Sequence, residues 1–252
     1  MALFKKRHAD NDTLKYGAKL ITVDKPNSPV AEEFRTIRTN INFMSIDTQV
    51  KKIAFTSANI SEGKSTVSAN VAVTMAQAGK SVLMIDGDLH RPTLNKTFNV
   101  ANNVGLTSIL TSTDKEIDLS KYVKTTNIEK LSVLCSGPLP PNPAELLSSE
   151  RMRHFLDLAS AHYDMVIIDM APILEISESQ VLAHEVDGVV LVIRQNVTQK
   201  AGIKRVVELL DMSKARILGY VMNDVRTSKN GYGYGYGYGY GYGYGYSKDK
   251  KK

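Results

Sequence analysis

Cysteine is almost absent: Cys135 is the only one in 252 residues. A single thiol excludes an intrachain disulfide and fits a reducing compartment. It lies in the apolar run Leu131-Ser132-Val133-Leu134-Cys135, where a free cysteine reads as a small core residue. Also missing is any apolar run near the roughly 20 residues needed to span a bilayer. The first residues, MALFKKRHAD, hold no apolar stretch of leader length and do not read as a signal peptide. A membrane location would have to be borrowed from a partner. The five histidines show no metal-ligand spacing, and His90 reads as a polar loop residue. No basic patch interleaved with aromatics occurs in the main body, which argues against a nucleic-acid partner. The net charge of +6 favours acidic partners in general without choosing among them.

What is present reads as one large α/β domain with two appendages. Residues 1–28 are polar and mixed, and read as an N-terminal arm. Residues 29–228 form the domain. Phe34, Ile37, Ile41 and Met44 recur at three and four, which predicts a helix over about 30–44. Apolar strands are predicted at 52–57, 81–86, 131–135, 165–169, 188–194 and 217–223. Helices are predicted at 64–78, at 144–162 with a break near Ser148-Ser149, and at 200–212. Several strands are continuous Val/Ile/Leu rather than alternating, as strands covered on both faces are. The strand–helix–strand order implies a mostly parallel sheet with right-handed crossovers and helices on both faces. Gly79 falls where a helix C-cap is wanted. Residues 229–252 differ abruptly. Gly231 to Tyr246 alternates glycine and tyrosine, and the end is basic. The repeat holds eight tyrosines: Tyr232, Tyr234, Tyr236, Tyr238, Tyr240, Tyr242, Tyr244 and Tyr246. With no aliphatic residue to build a core, this tail is expected to be disordered. Fully extended, its repeat spans about 50 Å, enough to reach a neighbouring subunit.

Three segments carry chemistry. Ala58-Asn59-Ile60-Ser61-Glu62-Gly63-Lys64-Ser65 follows an apolar strand and opens a helix, the context of a phosphate-binding P-loop. Backbone amides from Ser61 to Thr66 can cradle phosphate oxygens at the helix N-terminus. Lys64 can reach the β- and γ-phosphates and Ser65 can ligate Mg²⁺. Asp86-Gly87-Asp88, alone, is as readily a turn. Behind a buried strand and downstream of a P-loop it reads as a carboxylate pair at the sheet's carboxyl edge. Asp169 ends the apolar run Met165–Ile168, either as a strand-terminal cap or as a second magnesium-side carboxylate.

Together these segments resemble the bacterial protein-tyrosine kinases of capsule and exopolysaccharide synthesis, over essentially residues 28–246. The resemblance rests on SEGKST, IDGDLHRP, VIIDMAP, the segment Gly137–Leu147 and the tyrosine-rich tail. It implies transfer of the ATP γ-phosphoryl group, with Mg²⁺, to the tail tyrosines of a neighbouring copy. In that reading Asp86 takes the phenol proton, and Ser65, Asp88 and Asp169 stand on the metal side. Asn223 is either a contact to adenine or a turn-forming residue. Glu32, Arg35 and Arg38 match the family's E-x-x-R-x-x-R oligomerisation motif. Their spacing alone equally suits a solvated helix face with an i,i+3 ion pair. The resemblance further implies a homo-oligomer, a ring being one form. It also implies a transmembrane activator whose cytoplasmic tail switches the kinase on, a cognate tyrosine phosphatase, and a cytoplasmic location at the inner membrane face. Ile60-Ser61 stands where the family usually has Pro-Gly, Ala58 where it has the first glycine, and His90 where an arginine is common. Two other readings share parts of the pattern. A partition or division-site ATPase would carry a signature lysine at the position of Asn59. A non-catalytic, nucleotide-gated assembly module would use the tail only for adhesion.

Overall fold

The computed structural model describes residues 12–44 and 50–225. The Gly-Tyr repeat, and with it the expectation of tail disorder, lies outside the described residues. Seven strands form one sheet: β1 (Lys52–Ser57), β2 (Val82–Gly87), β3 (Lys124–Thr125), β4 (Leu131–Leu134), β5 (Met165–Met170), β6 (Gly188–Arg194) and β7 (Ile217–Asn223). Their order is β3-β4-β2-β5-β1-β6-β7. Every pairing is parallel except β3 with β4.

The continuous apolar strands are explained by two cores, one on each face. Ile53 and Phe55 of β1, Val82 and Met84 of β2, and Met165 and Ile167 of β5 enter one core. Their neighbours Ala54, Leu83, Ile85, Val166 and Ile168 enter the other. The first face is covered by α3 (Pro29–Met44) and α4 (Lys64–Gln77). Helix α4 is buried along almost its whole length because α3 closes over its outer side, as a helix enclosed on all sides must be. The opposite face is covered by α6 (Leu106–Thr111), α7 (Pro143–Leu147), α8 (Glu150–His162), α9 (Glu178–His184) and α10 (Lys200–Met212).

Local signals set the boundaries. Gly79, at φ 93°, follows the C-cap of α4 in the left-handed conformation that glycine adopts cheaply. Between α7 and α8 the chain breaks at Ser148-Ser149. There the Ser149 hydroxyl accepts from Met152 N at 3.2 Å and caps α8.

The segment read from sequence as an arm is, from Asp12 onward, seated on the body. It forms α1 (Asp12–Tyr16) and α2 (Ile21–Asp24). Thr22 N and Oγ1 both donate to Asn70 Oδ1 at 3.0 Å, and Asn70 Nδ2 donates to Lys19 O at 2.8 Å. Ala18 N donates to Thr97 Oγ1 at 2.9 Å, on the short α5 (Leu94–Thr97). The polar composition of the arm hid this docking, because its anchors are hydrogen bonds rather than an apolar stripe.

Candidate active site

The site lies at the carboxyl edge of the central strands, where open α/β sheets collect ligands. The P-loop leaves β1 and enters α4 through Gly63, whose φ of 96° suits glycine alone. A methyl group at Gly63 would also meet Asn223 Nδ2. Asn223, at the end of β7, donates that amide to Glu62 O at 3.0 Å.

Glu62 sits in an unexpected direction. Its carboxylate is buried, accepting from Ala58 N at 3.0 Å, Asn59 N at 3.3 Å, Asn59 Nδ2 at 3.1 Å and Thr198 Oγ1 at 2.7 Å. It therefore shapes the loop from inside and does not face the pocket. The chain after β5 holds the same loop from the other side. Ile173 N donates to Ser57 O at 3.0 Å, and Glu175 Oε1 accepts from Ile60 N at 3.0 Å. Arg194, at the end of β6, donates to Ser61 O at 3.0 Å and pairs with Asp224.

Lys64 is buried at the floor of the pocket, with Nζ 2.9 Å from Asp88 Oδ2 and 3.8 Å from Asp169 Oδ1. Burial works against its charge, but the Asp169 and Asp88 carboxylates outweigh it and hold its pKa above the ordinary lysine value. Asp88 Oδ1 accepts from Arg91 N at 2.9 Å. Asp86 and Asp169 stand side by side in the β2–β5 register, both fully buried. Asp86 Oδ2 accepts from Thr93 N at 2.9 Å and Leu94 N at 3.0 Å, leaving Oδ1 unpartnered. Burial, reinforced by the Asp169 charge, pushes the Asp86 carboxyl up to about 8. Asp169 is likewise raised by burial, with Lys64 and the Ser65 and Ser68 hydroxyls opposing.

An open pocket of about 280 Å³ lies over this floor. Ser61, Gly63, Lys64, Ser65, Thr66, Asp88 and Asn223 line it, as expected from the sequence. So do Arg91, Thr93, Arg194 and, from α1, Thr13 and Leu14, which belong to no motif. Asp86, Asp169 and Glu62 lie behind the lining. Glu32, Arg35 and Arg38 are on α3, away from the pocket. The expected phosphoacceptors Tyr232, Tyr234, Tyr236, Tyr238, Tyr240, Tyr242, Tyr244 and Tyr246 all lie outside the described residues.

The donor set suits a hard divalent cation: a hydroxyl at Ser65 and buried carboxylates at Asp88 and Asp169. Among the described residues no three His, Cys, Asp or Glu side chains converge tightly enough to hold an ion by themselves. Mg²⁺ fits that pattern, since it is commonly bound through one or two carboxylates together with substrate phosphates.

A P-loop opening onto a lysine–carboxylate floor defines a nucleotide-binding P-loop protein of the ATPase type. A family profile described as an AAA domain matches residues 50–219. The chain is 46% identical over 211 residues to the tyrosine-protein kinase YwqD of Bacillus subtilis, covering 84% of this chain and 88% of that protein. It is 39% identical to the putative tyrosine-protein kinase CapB of Staphylococcus aureus, over 82% of this chain and 90% of that one. The solved kinase domain of Escherichia coli tyrosine kinase ETK superimposes with a TM-score of 0.76 at 32% identity, covering 86% of this chain and 85% of that domain. The chain belongs to the bacterial tyrosine-protein kinases and is a P-loop tyrosine kinase. That membership replaces both the partition-ATPase reading and the adhesive-module reading.

Proposed function

We infer that this kinase transfers the γ-phosphoryl group of ATP to the tyrosines of its own Gly-Tyr tail, in a neighbouring copy of the chain. The observation that carries the reading is the convergence of the P-loop lysine with the two buried carboxylates of Asp88 and Asp169. Phosphoryl transfer needs positioning and charge neutralisation more than covalent help. Lys64 and the P-loop amides bind the β- and γ-phosphates. Ser65, Asp88 and Asp169 would hold Mg²⁺, which when bound neutralises charge on the phosphate oxygens. Asn223, which lines the pocket and is tied to Glu62 O, would contact the adenine. The tyrosine oxygen forms the new O–P bond as the bond to the leaving ADP oxygen breaks. Asp86, in its ionised form, receives the phenol proton on Oδ1, the oxygen left free by the Thr93 and Leu94 amides.

The wider setting follows the family. The kinase works as a homo-oligomer, a ring being one form, with α3 at the subunit contact. It sits at the inner membrane face through the cytoplasmic tail of a transmembrane activator, its tail is reset by a tyrosine phosphatase, and it regulates capsular or exopolysaccharide synthesis. Among the described residues no helix is long and apolar enough to cross a membrane.

The test is incubation of the full chain with Mg-ATP, with and without the tail of a candidate activator, read by phosphotyrosine detection and mass mapping. Wild type should gain phosphate on residues 232–246, whereas Lys64→Met should gain none while keeping its circular dichroism spectrum. Tail phosphorylation by folded Lys64→Met would overturn the site. Each phosphotyrosine adds about −1.5 to −2 charges at pH 7. A fully modified tail should therefore push copies apart, less so at high salt.

A further inference from the structure

Beside the P-loop, the pocket walls come from three sources. β6 and β7 supply Arg194, Asn223 and Asp224. The loop after β2 supplies Asp88, Arg91 and Thr93. In strand order β2 is separated from β6 by β5 and β1, so the P-loop lies between these two walls. The third source is α1, through Thr13 and Leu14. Helix α1 packs on α5, which begins directly after Thr93. Its seat is close. Lys96 Nζ donates to Leu14 O, and Ala18 N donates to Thr97 Oγ1 at 2.9 Å. Gly17, at φ 80°, lies so near α5 that a Cβ there would be 2.5 Å from Thr97 N.

In-line phosphoryl transfer brings the acceptor in on the side of the γ-phosphate opposite the leaving oxygen. The P-loop and β7 serve the nucleotide, which leaves the end bounded by Asp88, Arg91, Thr93 and α1 for the acceptor. We propose that Thr13 and Leu14 are the acceptor wall of the pocket, and that with Arg91 and Thr93 they form a slot selective for tyrosines flanked by glycine. This rests on the tail-phosphorylation reading. Each tail tyrosine from Tyr232 to Tyr246 follows a glycine, and all but Tyr246 precede one. Glycine lets an acceptor backbone approach the rim without side-chain collision. The half-buried Leu14 offers apolar contact to the phenol ring whose hydroxyl must reach the floor.

The test uses the full chain with its eight tail tyrosines changed to Phe, Mg-ATP, and two peptide acceptors, Gly-Gly-Tyr-Gly-Gly and Gly-Val-Tyr-Val-Gly. The parent should favour the glycine-flanked peptide. Leu14→Ala should raise the KM of that peptide by roughly tenfold or more, with kcat within about twofold. It should also narrow the preference between the two peptides. Gly17→Val, which unseats α1 through the Thr97 backbone, should act in the same direction. ADP affinity, measured by calorimetry, should stay unchanged in both variants. An unmoved KM overturns the acceptor wall, because α1 is then scaffold. So does a loss of ADP affinity in step with KM, which makes α1 a nucleotide wall, or faster turnover, which makes it a block. If the unmutated full chain, supplied with the candidate activator tail, phosphorylates no tyrosine, the tail reading fails and the wall falls with it. Turnover by the parent with unmoved variants overturns the wall alone.

Discussion

A methyl group on Gly63 would lie 2.0 Å from Nδ2 of Asn223, across 160 residues of chain. The two positions are locked together because Asn223 closes the P-loop on Glu62 O at 3.0 Å. Gly63→Ala therefore meets both a collision and a φ of 96°. It should cost about 1–3 kcal/mol and lower ATP-analogue affinity by roughly tenfold or more. The double variant Gly63→Ala, Asn223→Ala removes the collision and should recover part of the melting temperature lost. No recovery would assign the whole effect to the backbone angle.

Ser61 occupies the left-handed region at φ 60°, where the family usually has glycine. A non-glycine residue there costs about 1–2 kcal/mol, of which the added freedom of an unfolded glycine returns about half. Ser61→Gly should stabilise the chain by about 0.5–1 kcal/mol. Urea unfolding with an unchanged m-value would read this, and a loss of stability would show that the serine is not strained.

Arg38 and Glu32 of the proposed oligomerisation motif should separate by experiment. Arg38 donates to Thr74 O at 3.1 Å and ties α3 to α4, so Arg38→Ala should cost about 1 kcal/mol of stability in any assembly state. Glu32 is exposed and pairs only with Arg35 in its own helix. Glu32→Ala should leave stability within about 0.5 kcal/mol and lower the mass seen by light scattering. A normal mass for Glu32→Ala would return it to a solvated helix face.

Asp164 joins the starts of two neighbouring strands, accepting from Ser81 N at 2.8 Å and Ser81 Oγ at 2.9 Å. Those bonds hold its carboxyl below the usual aspartate range. The stabilisation is thus present above the unfolded-state pKa and is lost as pH falls through the lower folded-state value. Asp164→Asn should be less stable than wild type at neutral pH, and the two melting curves should converge in acid. A gap that persists at low pH would show that charge is not its source.

Six of the seven strands and the carboxylate floor were legible because both leave strong patterns, whereas the two-residue edge strand β3 leaves none. Four apolar residues before Asp169, and a lysine at the mouth of a helix, admit few other readings. The role of Glu62 was not read, although an acidic residue inside an anion-binding loop is itself a signal that its side chain must turn inward. Thr198, Arg194 and Glu175 reach the loop from distant sequence with nothing local to mark them. The docked arm escaped for a different reason: Thr22 and Asn70 bind as polar partners, and periodicity records only apolar faces. The deep burial of Asp86 follows from α5 folding its amides over the end of β2, which strand prediction cannot supply.

Asp86 and Asp169 face each other in the register of two paired central strands. The spacing of their Cα atoms is therefore set by the sheet itself, close to the inter-strand distance of about 4.8 Å. Sliding either strand by one residue would turn its aspartate to the opposite face. No messenger acting from outside can stretch or shorten that distance without breaking the sheet. Whatever tunes the rate must do so through the parts that are not ruled by register, and the hydrogen bond from Thr198 to Glu62 is one of these. Fast and slow relatives built on this frame should then differ in loops that grip the phosphate cradle and share the same carboxylate spacing beneath it.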